Sequence, residues 1–458
     1  MKKTVNHILA AGLLALLSLA SCTDEFIEGN DLQGVDRDKR VEVRLPFGVG
    51  RGITTTITTR AAGGEIDYDS QLSGVMAFVY EAKSDNPEEN ELLAYHLFSN
   101  PSNKPLEGAT GGWIADNDDP TCGEIKFYVP VGDVYIYLLG NAQSSFLNFF
   151  PGVSGGDALG TQAEFFEKAT PKWNGNIHSV DGYLPLTGMV NNNTGLCHVN
   201  EQGQISYTDE EGKTHTLLPD GKHDEDNSFV LKRLMSKITM NIREGKGVKF
   251  TARDYTVRHI PHYVSPTAQA WTEEERDRIL VEDAKPVNFG LLDSLTFTIY
   301  LPENIRKVRP GVEITEYRQR DKVVKTADNK NTEETAPDDF HADNADNHKG
   351  HYKFEFAPKA STYIELTGWF ENADKTVAAD VRYYIHLGNF GKDLNHFSVE
   401  RDHHYTYNVT INGVDDIVVE VEDENEKTPG AEGVVFKHEA FAHIDAHFDQ
   451  VEMKFMRK

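Results

Sequence analysis

The sequence predicts an all-β protein built as two β-sandwich domains in series. Three observations carry this. Many short runs alternate apolar and polar residues with a period of two, clusters of Gly, Asn and Asp punctuate them, and only two stretches have convincing helical spacing.

The chain opens MKKTVNHILAAGLLALLSLASC. Lys2 and Lys3 form a charged start, and the apolar run at 8–19 is too short to span a bilayer comfortably. Leu19-Ala20-Ser21-Cys22 has the form of a bacterial lipoprotein signal, in which residues 1–21 are removed and Cys22 is acylated. The alternative is an ordinary signal peptide followed by a chance cysteine. No later segment is apolar enough to cross a membrane as a helix.

Residues 23–40 are polar and acidic and read as a tether. In 41–49, Val41, Val43, Leu45 and Phe47 alternate with Glu42, Arg44 and Pro46, which predicts a half-buried strand. Pro46 favours an edge position, because it cannot donate to a ladder. Residues 53–59 (ITTTITT) form a possible second short strand, and Arg60-Ala61-Ala62-Gly63-Gly64 reads as a connector. The more continuously apolar run at 72–82 fits a strand buried on both faces. Residues 124–142 read as two strands joined at Val131-Gly132-Asp133, and 229–242 as one long strand, followed by another at 255–261.

Helices are expected at 160–169 and at 265–284, the latter capped by Ser265 or Thr267. The domain boundary is placed near Gly245-Lys246-Gly247, giving sandwiches at 61–245 and 246–430 and a tail at 431–458. A strand at 295–305 precedes a polar stretch at 318–349 that reads as a long loop or disorder. Strands resume at 352–356, 363–372, 381–388 and 404–413.

Composition removes several function classes. The 73 acidic against 46 basic residues argue against a nucleic-acid partner, since phosphate binding needs the opposite balance. Besides Cys22 only Cys122 and Cys197 occur, able to pair but too few for a disulfide scaffold. No G-x-S-x-G elbow, HExxH or calcium-loop register is present, so no enzyme, cofactor or metal is expected. His341, His348 and His351 with Asp343 and Asp346 read as a hydrated acidic loop. His403-His404 reads as structural, Trp173 and Trp369 as core packing. Asn192 and Asn408 lie in N-x-T patterns of little weight in a bacterial exported protein.

Taken in order, several segments resemble the fimbrillin-type pilus subunits of Bacteroidales. These are the lipobox, a first strand, TRAA, LSGVMAFVYE, VPVGDVYIYLLGNA, LPLTG (184–188), FVLKRLMSKITMNI, YTVRHIP and the closing run YYIHLGN…HFSVERDHHYTYNVTING. The resemblance implies two transthyretin-like sandwiches, export as a lipoprotein, and a cut after an arginine in the first long loop by an arginine-specific protease. It further implies that the first strand leaves and a strand of another pilus subunit replaces it. On this chain the cut is Arg60–Ala61, with Arg51 a weaker competitor, and the removable strand includes Val41, Val43, Leu45 and Phe47.

Independent physics favours the same place. An arginine gives a trypsin-like pocket a charged anchor, small neighbours fit a protease cleft, and loop tips of this kind are preferred nicking sites. A vacated edge can be refilled by β-augmentation. The run Val451, Met453 and Phe455, alternating with Glu452 and Lys454, is either a donor strand or a final strand of its own domain. The function expected is a non-enzymatic surface fimbrial subunit, accessory or tip-proximal. An uncut lipidated anchor and a surface glycan-binding lipoprotein are the alternatives, and no motif indicates a receptor.

Overall fold

The computed structural model describes residues 36–50, 72–101, 112–115, 121–142, 146–148, 160–168, 170–178, 183–190, 194–218, 228–266, 279–291, 295–308, 311–325, 340–341, 351–391, 393–423 and 438–440. The expected signal with Cys22, Arg51, the Arg60–Ala61 connector, His348, Asp343, Asp346, Asn192 and the Val451–Met453–Phe455 run lie outside them.

One strand organises the first half. After β1 (Asp36–Val49), β2 (Gly74–Glu81), β3 (Leu92–Ser99) and β4 (Trp113–Ala115) comes β5, which runs unbroken from Cys122 to Gly140. The two strands expected here are one, because Gly132 takes a left-handed φ of 130° and lets the chain bend without ending. The bend changes its partners. Its first part lies between β1 and β4, and its second part pairs with β2 and with the strands Leu196–Val199 and Leu186–Met189. The strand Phe229–Arg233 then joins Leu186–Met189 back to β1, so four strands form a closed ring.

Inward residues of this ring make one core: Val43, Leu45, Phe47, Ile125, Phe127, Val129, Ile136, Leu138, Phe229 and Leu231. β2 is buried on both faces, as its unbroken apolar run required. Its Val75, Ala77 and Val79 face that core, while Met76, Phe78 and Tyr80 belong to a second one with Phe165 of α1 (Gln162–Lys168) and Trp173.

The run 229–242 is two strands rather than one. Phe229–Arg233 belongs to the first sheet, whereas Met235–Glu244 pairs with Thr296–Pro302 and, in parallel, with His404–Ile411. The handover between the sheets falls at Leu234. Both strands carry apolar side chains continuously through the switch, so periodicity alone gave no break. The second half then builds two sheets. One is ordered Thr296–Pro302, Met235–Glu244, His404–Ile411, Ile417–Asp423, His438–Ala440; the other is Val287–Asn288, Val248–Arg258, Tyr363–Asn372, Ala378–His386. Their apolar faces share a core that includes Ile238, Met240, Tyr407 and Val409 from one sheet and Phe250, Val257, Leu366 and Ile385 from the other.

Two further expectations are corrected. Within the stretch expected as helix to 284, Val281–Glu282 is a strand paired with Ile260–Pro261. The polar stretch from 318 begins with structure: α2 (Tyr317–Arg320) ends in the fully buried Arg320, followed by buried Asp321. Arg320 donates to the carbonyls of Leu387 at 3.0 Å and His396 at 3.0 Å and lies over the Phe397 ring. A charged side chain buried to clamp backbone looks like loop in a hydropathy pattern. Cys122 and Cys197 are both buried thiols; Cys197 lies opposite Val134, on the far part of β5 from Cys122.

Burial of histidines sets a pH dependence. His386 Nδ1 lies 2.7 Å from Asp321 Oδ1, yet burial outweighs that carboxylate and holds the imidazole below its ordinary pKa. Burial also depresses His96, His178 and His259. The unfolded chain accepts protons below about pH 6.5 that these groups refuse when folded, so their contribution is present above that pH and lost as pH falls. His403, raised by Asp423 against its own burial, and Asp402, raised by burial, act in the opposite sense. The denaturant midpoint is expected to fall between about pH 7.5 and 5.5, and to fall less steeply in His386→Gln. Equal slopes in the two proteins would contradict this assignment.

Candidate functional site, the seat of the first strand

β1 is held by its side chains more fully than by its backbone. From Arg40 to Gly48 it runs antiparallel to β5, with Val43 opposite Phe127, Leu45 opposite Ile125 and Phe47 opposite Gly123. Period two sends Val43, Leu45 and Phe47 into the ring, where all three are fully buried, and leaves Glu42 exposed. Val41, expected in the same row, is partly buried and packs against that core. Burying the three side chains stabilises the strand's seat by roughly 5–9 kcal/mol, an upper estimate.

The other flank of β1 differs along its length. Only Phe47, Gly48 and Val49 have a second ladder, parallel to Phe229, Val230 and Leu231. Over Arg40–Pro46, no second strand is paired to β1 among the described residues; Gly203 abuts the Glu42 carbonyl, and Lys39 meets Glu201 at 2.6 Å in an exposed pair worth little. The edge position that Pro46 suggested therefore describes most of β1, and its last three residues are a correction: there it lies between two strands. The reason is the ring, which can close only where β1 reaches Phe229–Arg233.

Beyond Val49 the strand is pinned. The Gly50 N–H donates to Leu231 O at 2.8 Å, and Arg233 Nη1 donates to Gly50 O at 2.9 Å. The same guanidinium nitrogen lies 2.7 Å from Asp402 Oδ1, and Arg233 is 1% exposed. Asp402 sits in the left-handed region at φ 61°, a conformation Asp tolerates. A buried, hydrogen-bonded ion pair thus ties the end of β1 to the turn that precedes the strand His404–Ile411. Removing one partner of such a pair costs about 3–5 kcal/mol, so the tie is firm although desolvation offsets its net worth.

The closing run Arg401-Asp402-His403-His404-Tyr405 is accounted for residue by residue. Arg401 grips Glu303 through two nitrogens, at 2.6 and 2.9 Å. Asp402 holds Arg233, His403 Nδ1 lies 2.8 Å from Asp423 Oδ2, His404 Nε2 lies 3.1 Å from Thr239 Oγ1, and Tyr405 is core. The tandem histidines are structural, as expected. The sequence reading missed Arg233, Glu303 and Asp423 as partners; the only sequence signal was a charge inside an apolar strand at Arg233. Trp173 is buried as expected, whereas Trp369 is 39% exposed. His341 lies on a short strand paired with His351, and no cluster able to hold a metal occurs among the described residues.

Phe47→Ala is expected to lower stability by about 3–5 kcal/mol, the usual cost of emptying a buried aromatic site. Chemical denaturation checks this; a loss of about 0.5 kcal/mol, as at surface positions, would mean that β1 is not seated as described.

Residues 299–409, which contain α2, Arg320, His386 and Arg401, match the family model described as a domain of unknown function, DUF4906. No curated protein matches the chain. Among solved structures it is similar to the tip fimbrial protein Mfa3 from Porphyromonas gingivalis, with 14% identity, TM-score 0.40, and coverage of 84% of this chain and 99% of that one. It is also similar to a candidate cell adhesion protein from Parabacteroides distasonis, at 10% identity and TM-score 0.40, covering 87% and 95% of the two chains. A third is a candidate polysaccharide-binding protein from Bacteroides thetaiotaomicron, at 8% identity and TM-score 0.32, covering 84% and 99%.

Proposed function

We propose that the chain is a non-enzymatic structural subunit of a surface fimbria, made of two transthyretin-like sandwiches and assembled by strand exchange. It is exported as a lipoprotein acylated at Cys22, cut between Arg60 and Ala61 by an arginine-specific protease, and joined to other pilus subunits once β1 has left. Its place is accessory or tip-proximal at the cell surface, with outer-membrane attachment through lipid before maturation.

The observation that carries this reading is the seat of β1. Three fully buried apolar side chains fill a core, yet most of the backbone is laddered on one flank only. A strand held this way leaves an apolar groove and a row of main-chain donors and acceptors when it departs, which another strand can satisfy. Arg60 lies between β1 and β2 along the chain, so a cut after it separates β1 covalently from every later strand.

Arg60→Ala is expected to give a longer, lipidated product that stays out of filaments, and N-terminal sequencing of surface-extracted wild-type protein should begin at Ala61. Entry of the variant into filaments at the wild-type level would overturn the cleavage reading. An acylated Cys22 on all mature wild-type protein would favour an uncut anchor.

A further inference from the structure

The half of β1 that lacks a second ladder is not left bare. The turn Asn200-Glu201-Gln202-Gly203-Gln204, which joins the strands Leu196–Val199 and Ile205–Thr208, lies against it. A Cβ on Gly203 would overlap Glu42 O and would meet Glu42 C at 3.2 Å and Val43 Cα at 3.9 Å. Only a residue without a side chain lets the turn come this close to the main chain of β1. Glu201 of the same turn reaches Lys39 at 2.6 Å, so the turn meets β1 at Lys39 and again at Glu42.

The turn is stiffened from within. Asn200 Oδ1 accepts the N–H of Gln202 at 3.0 Å and that of Gln204 at 2.9 Å. The Asn200 N–H donates to Gln204 O at 3.0 Å, and the Gly203 N–H to Asn200 O at 3.0 Å. All four bonds are internal to the turn and none of them ties it to β1. Its two feet are fixed, because Val199 and Ile205 are buried in the same core as Val43.

The next turn along the chain has the same build and a different setting. Asp209-Glu210-Glu211-Gly212-Lys213 joins Ile205–Thr208 to Thr214–Thr216. Asp209 Oδ1 accepts the N–H of Glu211 at 3.0 Å and that of Lys213 at 2.8 Å. The Asp209 N–H donates to Lys213 O at 2.9 Å, and the Gly212 N–H to Asp209 O at 3.0 Å. Gly203 and Gly212 both take the left-handed conformation, at φ 77° and 81°. Around a Cβ on Gly212, however, nothing lies within 4 Å. This turn forms equally well with no strand beneath it, so its own geometry does not require the close approach of Gly203 to β1.

We propose that the turn 200–204 is a clasp on β1, one that stops the Arg40–Pro46 half from sliding off β5 and must swing aside before the strand can leave. The departure itself rests on the strand-exchange reading of β1. A tip braced by its own bonds swings as a unit about Val199 and Ile205 without breaking any ladder of β1. In the uncut chain the closed clasp keeps Val43 and Leu45 in register with their core, and a one-residue slip would turn both outward. After the cut, opening of the clasp sets how fast β1 departs.

The two turns supply the test and its control. Gly203→Ala and Gly212→Ala set an alanine at nearly the same left-handed φ and share that backbone strain, but only the first drives its turn off β1. In the full-length proteins, amide exchange over residues 40–44 is expected to be about tenfold faster than wild type in Gly203→Ala and within about twofold of wild type in Gly212→Ala. A third variant, with residues 201–203 replaced by a two-residue Asn-Gly turn, removes the contact without a clash and should exchange like Gly203→Ala. Wild-type exchange over 40–44 in this shortened-turn protein would overturn the clasp and leave strand exchange untouched. After cleavage behind Arg60, residues 36–50 should be lost faster from the shortened-turn protein than from wild type. Retention of residues 36–50 by every cut protein would bring down the strand-exchange reading, and the clasp's part in departure with it.

Discussion

The structure depends on one constraint: the first core is sealed by a strand whose inward side chains it cannot do without and whose backbone it only partly binds. Val43, Leu45 and Phe47 complete a packed interior, and interiors tolerate missing volume poorly. Along Arg40–Pro46, however, β1 contributes a ladder to β5 alone. Large burial with a one-sided ladder makes a strand necessary as a shape and replaceable as a piece of chain.

That replaceability has to be reconciled with the closed ring. Phe47–Val49 and Gly50 are bound on two sides, and the Arg233–Asp402 pair reaches across from the second half to hold the Gly50 carbonyl. The firm end of β1 is thus the end nearest the proposed cut, and the loosely paired end is the one that leads back toward the tether. The same Asp402 lies just before His404–Ile411, which pairs in parallel with Met235–Glu244 in the second half. Both halves therefore share the hold on β1, and a donor strand entering the seat would meet a framework already braced from the other side.

Much of this was legible in the sequence and some of it was not. The alternation in 41–49 gave the inward face of β1 correctly, because one side chain in two must face a core whatever its partner strand is. The continuous apolar run at 72–82 gave a strand with two buried faces. Partners and handovers were not legible. β5 continues through Gly132 because a single left-handed glycine bends a strand as readily as it ends one. The two strands either side of Leu234 serve different sheets although their pattern is seamless, since period two describes faces and not neighbours. Arg320 and Asp321, at the centre of a buried polar cluster, sat in a stretch that reads as loop, because hydropathy cannot distinguish a solvated charge from one satisfied by buried carbonyls.

The most direct measurement of the central claim is amide hydrogen exchange on the intact protein and on the same protein after cleavage at arginine. Exchange reports which ladders open together. Protection over residues 122–131 of β5 is expected to collapse once cleavage has released residues 36–50, while residues 134–140, paired with β2, stay protected. Unchanged protection over 122–131 in protein shown to have lost residues 36–50 would contradict it.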